Sequence, residues 1–301
     1  MRERGEWRAA LGMLPAIAGM GMSSGQAMAL FFGQFGTTAW LGAMAASALF
    51  GALMAGAVWR GQAGSLHSDG LASACESLRL MVAAVTVTVM LSQLGDVGAL
   101  ALPLRHGYAF GAAFGALAAL AFGGVHRRWV AGTVLLILLG GFYAACALDV
   151  RPVRSYAEGL AEFPLSGNPG AAVYFGGLFA AMNACAAAWS LAPGDTGALR
   201  PWRLGVKAGA LMLSLLLLAN LALLRGGEAV LVQPMPWVLL SARWGLAGFW
   251  LCAAMKALCA AATLSAALSA LLSRLRRKSR QRTLALCMLI GAIVVFCIIA
   301  R

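Results

Sequence analysis

Runs of about 20 apolar residues recur along this chain, and each run is long enough to cross the hydrocarbon core of a bilayer as an α-helix. Of the 301 residues, 61% are hydrophobic and only 11% are charged, which is more apolar than a soluble domain requires. Mean hydropathy is +0.83. The sequence therefore predicts an all-α, polytopic membrane protein that forms a single integral membrane domain over residues 1–301.

Nine membrane spans are predicted, at residues 9–35, 38–59, 78–98, 107–124, 129–148, 170–192, 205–224, 244–272 and 283–300. The 23 lysines and arginines fall mainly in the short segments between these spans. With a cytoplasmic N-terminus, the cytoplasmic segments hold 16 of them and the external segments hold 6. Because basic residues favour the cytoplasmic side, we expect the N-terminus inside and the C-terminus outside. Because these basic residues lie in short segments between spans, the net charge of +13 is explained by membrane topology and does not require a nucleic-acid partner.

The first predicted span is interrupted at residues 19–26 by three glycines, two serines and a glutamine. Glycine weakens a helix interior by about 1 kcal/mol relative to alanine. A backbone group freed in hydrocarbon must be satisfied by protein or by trapped water, so such a break is tolerated where it lines a cavity. Broken helices of this kind form the midplane sites of many transporters. The alternative is a continuous helix whose glycines pack closely on a neighbour.

The sixth predicted span, 170–192, carries a second candidate interruption. Tyr174 is followed by the pair Gly176 and Gly177, and then by the polar Asn183. Two interrupted spans at corresponding positions in the two halves of a chain indicate a transporter binding site. A glycine pair and one asparagine also occur in ordinary packed helices, which is the alternative here.

Lys256 lies near the middle of the eighth predicted span. A lysine at that depth costs about 2.5–3.5 kcal/mol even on the lenient insertion scale, so it is a functional candidate by default. Helical spacing places Thr263 on the same face of the helix. Asp96, near the outer end of the third span, is a candidate partner for the ammonium group. The alternatives are a structural charge at Lys256 and a solvated helix end at Asp96.

The segment 228–244 is apolar, but it is too short and too interrupted by proline to span a bilayer. It predicts a re-entrant or interfacial helix near 228–242, with Trp237 and Trp244 at the depth of the lipid headgroups. The external segment 149–169 contains prolines and acidic residues, and it is a candidate cap for the outer mouth.

The 7 cysteines have neither the spacing of a metal site nor that of a disulfide framework. We read them as small buried apolar residues. No metal and no organic cofactor are predicted, and the expected small ion is a coupling ion, H⁺ or Na⁺.

Residues 19–26 and the following run at 27–36 (Ala-Met-Ala-Leu-Phe-Phe-Gly-Gln-Phe-Gly) resemble the first span of the uncharacterised bacterial YkvI-type membrane proteins. Those proteins are similar to the amino acid–polyamine–organocation transporters, which have the LeuT fold. The resemblance implies a protein of the bacterial inner membrane built as a five-plus-five inverted repeat. The first repeat would cover 1–148, and a second, shortened repeat of about four spans would cover 170–300.

In that architecture the substrate lies between broken first and sixth spans, and a cation lies between the first and eighth spans. The substrate-binding residues implied here are Gly19, Gly21, Met22, Ser23, Ser24, Gly25, Gln26, Tyr174, Gly176, Gly177 and Asn183. The implied cation-site residues are Thr263 and Ser265, and the coupling candidates Lys256 and Asp96 join them from their own positions in the spans. Met22 and Ala27 depart from the aromatic residue and the glutamate of the family pattern. A fixed ammonium near the cation position favours proton coupling, or no coupling, over sodium.

Two other classes of function stay open. Residues 67–76 (His-Ser-Asp-Gly-Leu-Ala-Ser-Ala-Cys-Glu) resemble the His-x-Asp-Gly-Leu-Ala-Asp-x-x-Asp motif of cobalamin-5′-phosphate synthases. That resemblance implies Mg²⁺-dependent phosphotransfer at Asp69 and Glu76. Ser73 replaces the central acid, and the loss of one carboxylate weakens a site for a hard cation. The other class is a non-transporting scaffold or sensor that keeps a transporter fold.

Taken together, these features favour a permease over an enzyme. We expect a secondary-active transporter that moves a small amino-acid-like or organic solute by alternating access around a midplane site. Its expected partners are the lipid bilayer and the solute. Lys256 and exposed helix N-termini would favour a solute that carries a carboxylate.

Overall fold

The computed structural model describes residues 2–23, 25–63, 69–101, 106–122, 128–149, 168–188, 191, 199–233 and 235–275. Within these ranges the regular elements are helices, with no strand. Ser24, the ninth predicted span and nearly all of the segment 149–169 lie outside the described residues. For Asp69, Ser73 and Glu76 the backbone is described and the side chains are not.

The α-helices are α1 (Arg2–Ile17), α2 (Gln26–Phe31), α3 (Ala39–Ala63), α4 (Asp69–Ala101), α5 (Gly107–Phe122), α6 (Arg128–Leu148), α7 (Pro169–Ala187), α8 (Pro201–Gly226), α9 (Glu228–Leu231), α10 (Pro236–Ala242) and α11 (Gly245–Leu275). A π-helical turn, Ala18–Met22, follows α1, and a 3₁₀ segment, Gly33–Thr38, follows α2.

Six helical segments of the described chain are long and apolar enough to cross a membrane: Gly33–Gln62, Met81–Ala101, Arg128–Leu148, Pro169–Ala187, Pro201–Gly226 and Gly245–Leu271. They coincide with the second, third, fifth, sixth, seventh and eighth predicted spans. The prediction of a multi-pass helical membrane protein is therefore confirmed, whereas the count of nine spans stays a prediction. The fourth predicted span is α5, which has 16 residues.

Residues that favour helix ends mark the limits of α7 and α8. The Asn168 side chain caps α7 by accepting a 2.9 Å hydrogen bond from the amide of Ala171, and Pro169 takes the first helical position. α8 likewise begins at a proline, Pro201, and ends before Gly227, whose φ of 74° is readily reached only by glycine.

The long helices pack through small residues. A Cβ added at Gly51 of α3 would lie 2.6 Å from the carbonyl oxygen of Gly205 in α8. One added at Gly209 would lie 2.8 Å from the carbonyl oxygen of Ser47. Such close backbone approach is typical of helix association in lipid, where dispersion contacts replace the hydrophobic effect as the driving force.

The first segment of the chain lies at the centre of this bundle. α1 contacts α6, α7, α8 and α11, and the π turn contacts α4 and α11. Large side chains of both elements, including Met13, Leu14, Ile17 and Met22, are buried. The interrupted stretch is therefore enclosed by other helices.

One end of the bundle, called here the basic end, gathers the starts of α1, α6 and α8 and the end of α11. The Nζ of Lys207 lies 2.7 Å from the carboxylate of the buried Glu6. The guanidinium of Arg8 lies 5.1 Å above the ring of Trp129, a cation–π distance. This is the end that the basic-residue asymmetry predicts to face the cytoplasm.

Candidate functional site

The helical ladder of the first segment is interrupted between residues 18 and 25, called here the break. The backbone changes from α to π geometry at Ala18–Met22, where the amide of Ser23 donates to the carbonyl of Ala18 at 3.2 Å. Gly25 then adopts a left-handed conformation, with φ 78°, before α2 begins. The interruption predicted from the glycines and serines is thus present in the backbone.

Pro15 loosens the ladder one turn before the break. A proline has no N–H, so the carbonyl of Leu11 loses its usual partner four residues ahead. That carbonyl instead lies against the backbone of Gly132 in α6, so close that a Cβ could not be accommodated there. The absence of a side chain at Gly132 therefore allows α1 and α6 to meet at this point.

The hydroxyl of Thr263, on α11, lies between two backbone groups of the first segment. Its Oγ1 donates to the carbonyl oxygen of Pro15 at 2.6 Å and accepts from the amide of Gly19 at 2.8 Å. In an uninterrupted α-helix these two groups would bond to each other, because they are four residues apart. The hydroxyl has taken the place of that bond, a known cause of helix distortion. We call this arrangement the Thr263 clasp.

The carbonyl of Met22, at the end of the π turn, accepts two hydrogen bonds from aromatic side chains. Tyr143 of α6 donates through its hydroxyl at 2.7 Å, and Trp237 of α10 donates through Nε1 at 2.9 Å. The two rings stack with centroids 4.8 Å apart. Both side chains are fully buried, so protein groups inside the bundle satisfy the freed carbonyl.

The same indole closes one side of the break at Gly25. A Cβ there would lie 2.8 Å from Nε1 of Trp237. On another side, a Cβ at Gly21 would lie 2.9 Å from the ring of Phe179 in α7. That ring also makes edge contacts with Phe31 and Phe32. Aromatic rings of α7 and α10 therefore cover the break closely.

Ser23 and Gln93 bring polar side chains to the break. The Ser23 hydroxyl lies 3.4 Å from the carbonyl oxygen of Gly19 and 3.4 Å from Oε1 of Gln93 in α4, and it can donate to either. Ser23 is buried and Gln93 is partly exposed. Asp96 lies one turn further along α4.

Lys256 is only 5% exposed. Its Nζ lies 3.9 Å from the sulfur of Met235, in the chain that leads into α10. The carboxylate of Asp96 is near enough to act on the ammonium electrostatically. Lys256 precedes Thr263 by seven residues on one face of α11, a rise of about 10 Å. Lys256 and Thr263 therefore lie at different heights along the first segment.

The predicted interruption of the sixth span is wrong, because α7 runs unbroken through Gly176 and Gly177. Gly176 instead packs against the carbonyl oxygen of Gly42 in α3, so its missing side chain serves close helix packing. Tyr174, expected in the substrate cleft, is 64% exposed, and its ring contacts that of Phe175. These three residues do not join the residues around the first segment.

Asn183 of α7 is buried, as a site residue should be. Its Nδ2 donates to the carbonyl oxygen of Phe179 at 2.8 Å. Its Oδ1 has no hydrogen-bond partner among the described residues. Because Asn183 lies one turn beyond Phe179 on the same face, it stays a candidate for binding a solute or water.

Two further expectations are corrected by the packing. Ser265 does not join Thr263 at the break, because it lies on the other side of α11 and lines a groove shared with α6. Trp237, expected at headgroup depth, is 1% exposed and lies in the core. The short helices α9 and α10 do agree with the prediction of a non-spanning element near 228–242.

Sequence reasoning missed Tyr143, Phe179 and the true place of Trp237. The signals were weak: one tyrosine in the apolar fifth span, one phenylalanine beside the glycine pair, and a tryptophan following a proline.

The described residues contain no group of three or more His, Cys, Asp or Glu side chains that could hold a metal ion.

Comparisons of the chain with protein families, with curated proteins and with solved structures gave no significant match.

Proposed function

We propose that this protein is a permease of the bacterial inner membrane, with a LeuT-like architecture, that carries a small amino-acid-like solute bearing a carboxylate. The observation that supports the proposal is the Thr263 clasp at a buried break in the first membrane segment. A backbone interruption enclosed by other helices is the feature that solute sites of secondary transporters use. Here a hydroxyl of α11 takes the place of the lost backbone hydrogen bond.

Polar groups suited to such a solute lie on the side of the break toward Gly25. Lys256 offers an ammonium group for a carboxylate, and Asp96 offers a carboxylate for an amino group. Ser23 and Gln93 add a hydroxyl and an amide that can donate or accept. A buried intramembrane ammonium such as that of Lys256 is expensive to keep without a function. A zwitterionic solute would bind both charges while remaining neutral overall.

Movement of the aromatic cover would give the solute access. Phe179 lies against Gly21 and Trp237 lies over Gly25, so a solute reaches the break only when α7 or α10 shifts. Thr263 ties α11 to Pro15 and Gly19 on the opposite side of the break. In the proposal, α7 and α10, which carry Phe179 and Trp237, move while α11 and the first segment stay together. Coupling to H⁺, or no coupling, agrees better with the nearby Lys256 than coupling to Na⁺.

Solute binding to the purified protein tests the proposal. The apparent unfolding temperature is measured with free amino acids, with their carboxamides and with organic cations, at several pH values and with and without Na⁺. A solute that stabilises the protein is then tested for counterflow in proteoliposomes. The proposal expects stabilisation by at least one free amino acid and a weaker effect of the matching carboxamide.

Two substitutions connect the effect to the site. Lys256→Met should weaken binding of the carboxylate solute about tenfold, because a hydrogen bond to a charged group is lost. Arg243→Met removes an exposed positive charge beyond α10 and should leave binding unchanged. Absence of counterflow for every stabilising solute, or equal effects of the two substitutions, would overturn the proposal.

A further inference from the structure

A groove of about 360 Å³ runs along α6 and α11, on the outside of the bundle, and Pro15 of α1 also lines it. Its walls are alanine, valine and leucine side chains from both helices. Val134 of α6 and Leu258 of α11 are each about half exposed. The groove is therefore open to the surroundings of the protein along its length, which in a membrane is lipid.

The groove ends in polar groups at the basic end. Arg128, the first residue of α6, lines the groove and donates to the hydroxyl of Ser269 in α11 at 2.7 Å. Ser265 lines the groove one turn further in. A guanidinium presents five N–H donors in a fork that matches a phosphate group. One end of the groove thus suits an anion, while the rest suits hydrocarbon.

The length of the groove matches one leaflet of a bilayer. From Arg128 to Leu138 the α6 wall rises about 15 Å, and from Ser269 to Leu258 the α11 wall rises about 16 Å. Half of the hydrocarbon core is also about 15 Å thick. An acyl chain that starts at a headgroup beside Arg128 would therefore end near the middle of the membrane, where the groove ends.

We infer that this groove is a specific site for an anionic glycerophospholipid of the leaflet at the basic end. The phosphate binds Arg128 beside Ser269, and one acyl chain lies along Val134, Leu138 and Leu258. Basic pockets between transmembrane helices are a known way of selecting anionic lipids. The shallow groove between α3 and α8 has comparable walls but no charged residue in its lining, so it offers no such selection.

The bound chain would lie next to the Thr263 clasp. Pro15, whose carbonyl accepts from Thr263, lines the groove, and so does Ala262, the neighbour of Thr263 in sequence. A chain in the groove fills the space beside these two residues and keeps α1 and α11 together. The lipid site does not depend on the permease proposal, because it needs neither a solute nor movement of the break.

Lipid titration of the delipidated, full-length protein in detergent tests the inference. The apparent unfolding temperature is followed during addition of dioleoylphosphatidylglycerol. Dioleoylphosphatidylcholine supplies the same chains without net negative charge, and glycerol phosphate supplies the anion without chains. We expect phosphatidylglycerol to stabilise the protein at lower concentrations than phosphatidylcholine, and glycerol phosphate to have no effect.

Substitutions locate the binding. Arg128→Gln should weaken the phosphatidylglycerol effect about fivefold, the contribution of one basic residue near a membrane surface. Arg203→Gln, at the start of α8 and also at the basic end, should not. Ala262→Leu, which fills the groove, should abolish the preference for phosphatidylglycerol. Ala48→Leu, in the groove between α3 and α8, should preserve it.

Three results would overturn the inference. They are equal effects of the two lipids, equal effects of Arg128→Gln and Arg203→Gln, and an effect of glycerol phosphate as large as that of the lipid. The first two indicate unspecific lipid contact, and the third indicates a simple anion site. If Arg128→Gln does not fold, the comparison of Ala262→Leu with Ala48→Leu decides.

Discussion

The hydroxyl of Thr263 donates a 2.6 Å hydrogen bond to the carbonyl oxygen of Pro15, across 248 positions of the sequence. The hydroxyl oxygen of Thr263 also accepts from the amide of Gly19, so one side chain satisfies both backbone groups that an α-helix would have paired. Without it, two buried polar groups would have to find other partners in a low-dielectric interior. Pro15 and the glycines of the first segment permit its distortion, and α11 holds it in place.

Replacement of Thr263 by valine should destabilise the protein. Valine keeps the shape of the side chain but can neither donate to Pro15 nor accept from Gly19. We expect a loss of about 1–3 kcal/mol, the penalty for buried groups left unpaired, and a smaller loss for Thr263→Ser. The apparent unfolding temperatures of the Thr263→Val and Thr263→Ser variants, recorded in the same detergent, measure the two losses.

A matched control is Thr133→Val in α6, where the hydroxyl donates only to Trp129 of its own helix. That bond is a local alternative to helix hydrogen bonding and adds little to stability. If Thr263→Val and Thr133→Val lower the unfolding temperature equally, the clasp has no special role.

Alanine at Gly25 should be more damaging than alanine at Gly245. Both glycines are left-handed, with φ of 78° and 70°, so each substitution carries a backbone strain of about 1–2 kcal/mol. A Cβ at Gly245 meets nothing within 4 Å, whereas one at Gly25 lies 2.8 Å from Nε1 of Trp237.

The extra loss at Gly25 should be about 1 kcal/mol, because the displaced indole gives up its bond to Met22. Unfolding temperatures of the two variants, recorded side by side, give this difference directly. Equal losses at the two positions would show that the indole moves aside freely.

Hydropathy alone located the six helices of the described chain that are long and apolar enough to cross a membrane, since lipid demands such helices whatever their neighbours are. The break at residues 18–25 was also predictable, because several glycines and serines in one span weaken it locally. The residues of other helices that contact the break were not predictable. Nothing in the composition of residues 228–244 distinguishes a buried Trp237 from an interfacial one, since the difference lies in the stacking on Tyr143 from another helix.

The two glycine-containing stretches show the same limit. Gly19 and Gly21 lie in a break, whereas Gly176 and Gly177 lie in a straight helix. The neighbour decides between these outcomes: a hydroxyl of α11 at Gly19, and the backbone of α3 at Gly176. Pro15 was the overlooked signal, because a proline inside a span already removes one bond of the ladder.

Alanine substitutions should separate Gly176 from Gly177. A Cβ at Gly176 would overlap the carbonyl oxygen of Gly42, so α3 and α7 would be forced apart, with a loss of about 1–3 kcal/mol. A Cβ at Gly177 would meet its nearest atom, of Leu49, only at 3.8 Å. There the higher helix propensity of alanine should leave stability unchanged or raise it by up to about 1 kcal/mol.

Unfolding temperatures of the two single variants check this prediction. A comparable loss at both positions would mean that the glycine pair acts as a unit, as the prediction of a broken sixth span requires.

The ion pair between Glu6 and Lys207 should contribute a measurable coupling energy. The two side chains are 1% and 13% exposed and lie 2.7 Å apart, so the pair is poorly screened by solvent. Lys207→Met leaves the buried carboxylate of Glu6 without its partner, which destabilises strongly, whereas Glu6→Gln leaves the partly exposed Lys207 and should cost less. The double variant removes both charges and should lose less than the sum of the single losses, with a coupling of about 1–3 kcal/mol.

The four unfolding temperatures of this double-mutant cycle should be measured at low and at high salt, and the coupling should persist at high salt. An exposed pair would instead behave additively, since surface ion pairs contribute little and are screened. Additivity under both conditions would therefore exclude a role for the pair in joining α1 to α8. Because α1 leads directly into the break, a persistent coupling would also show that the basic end holds the start of the interrupted segment against α8.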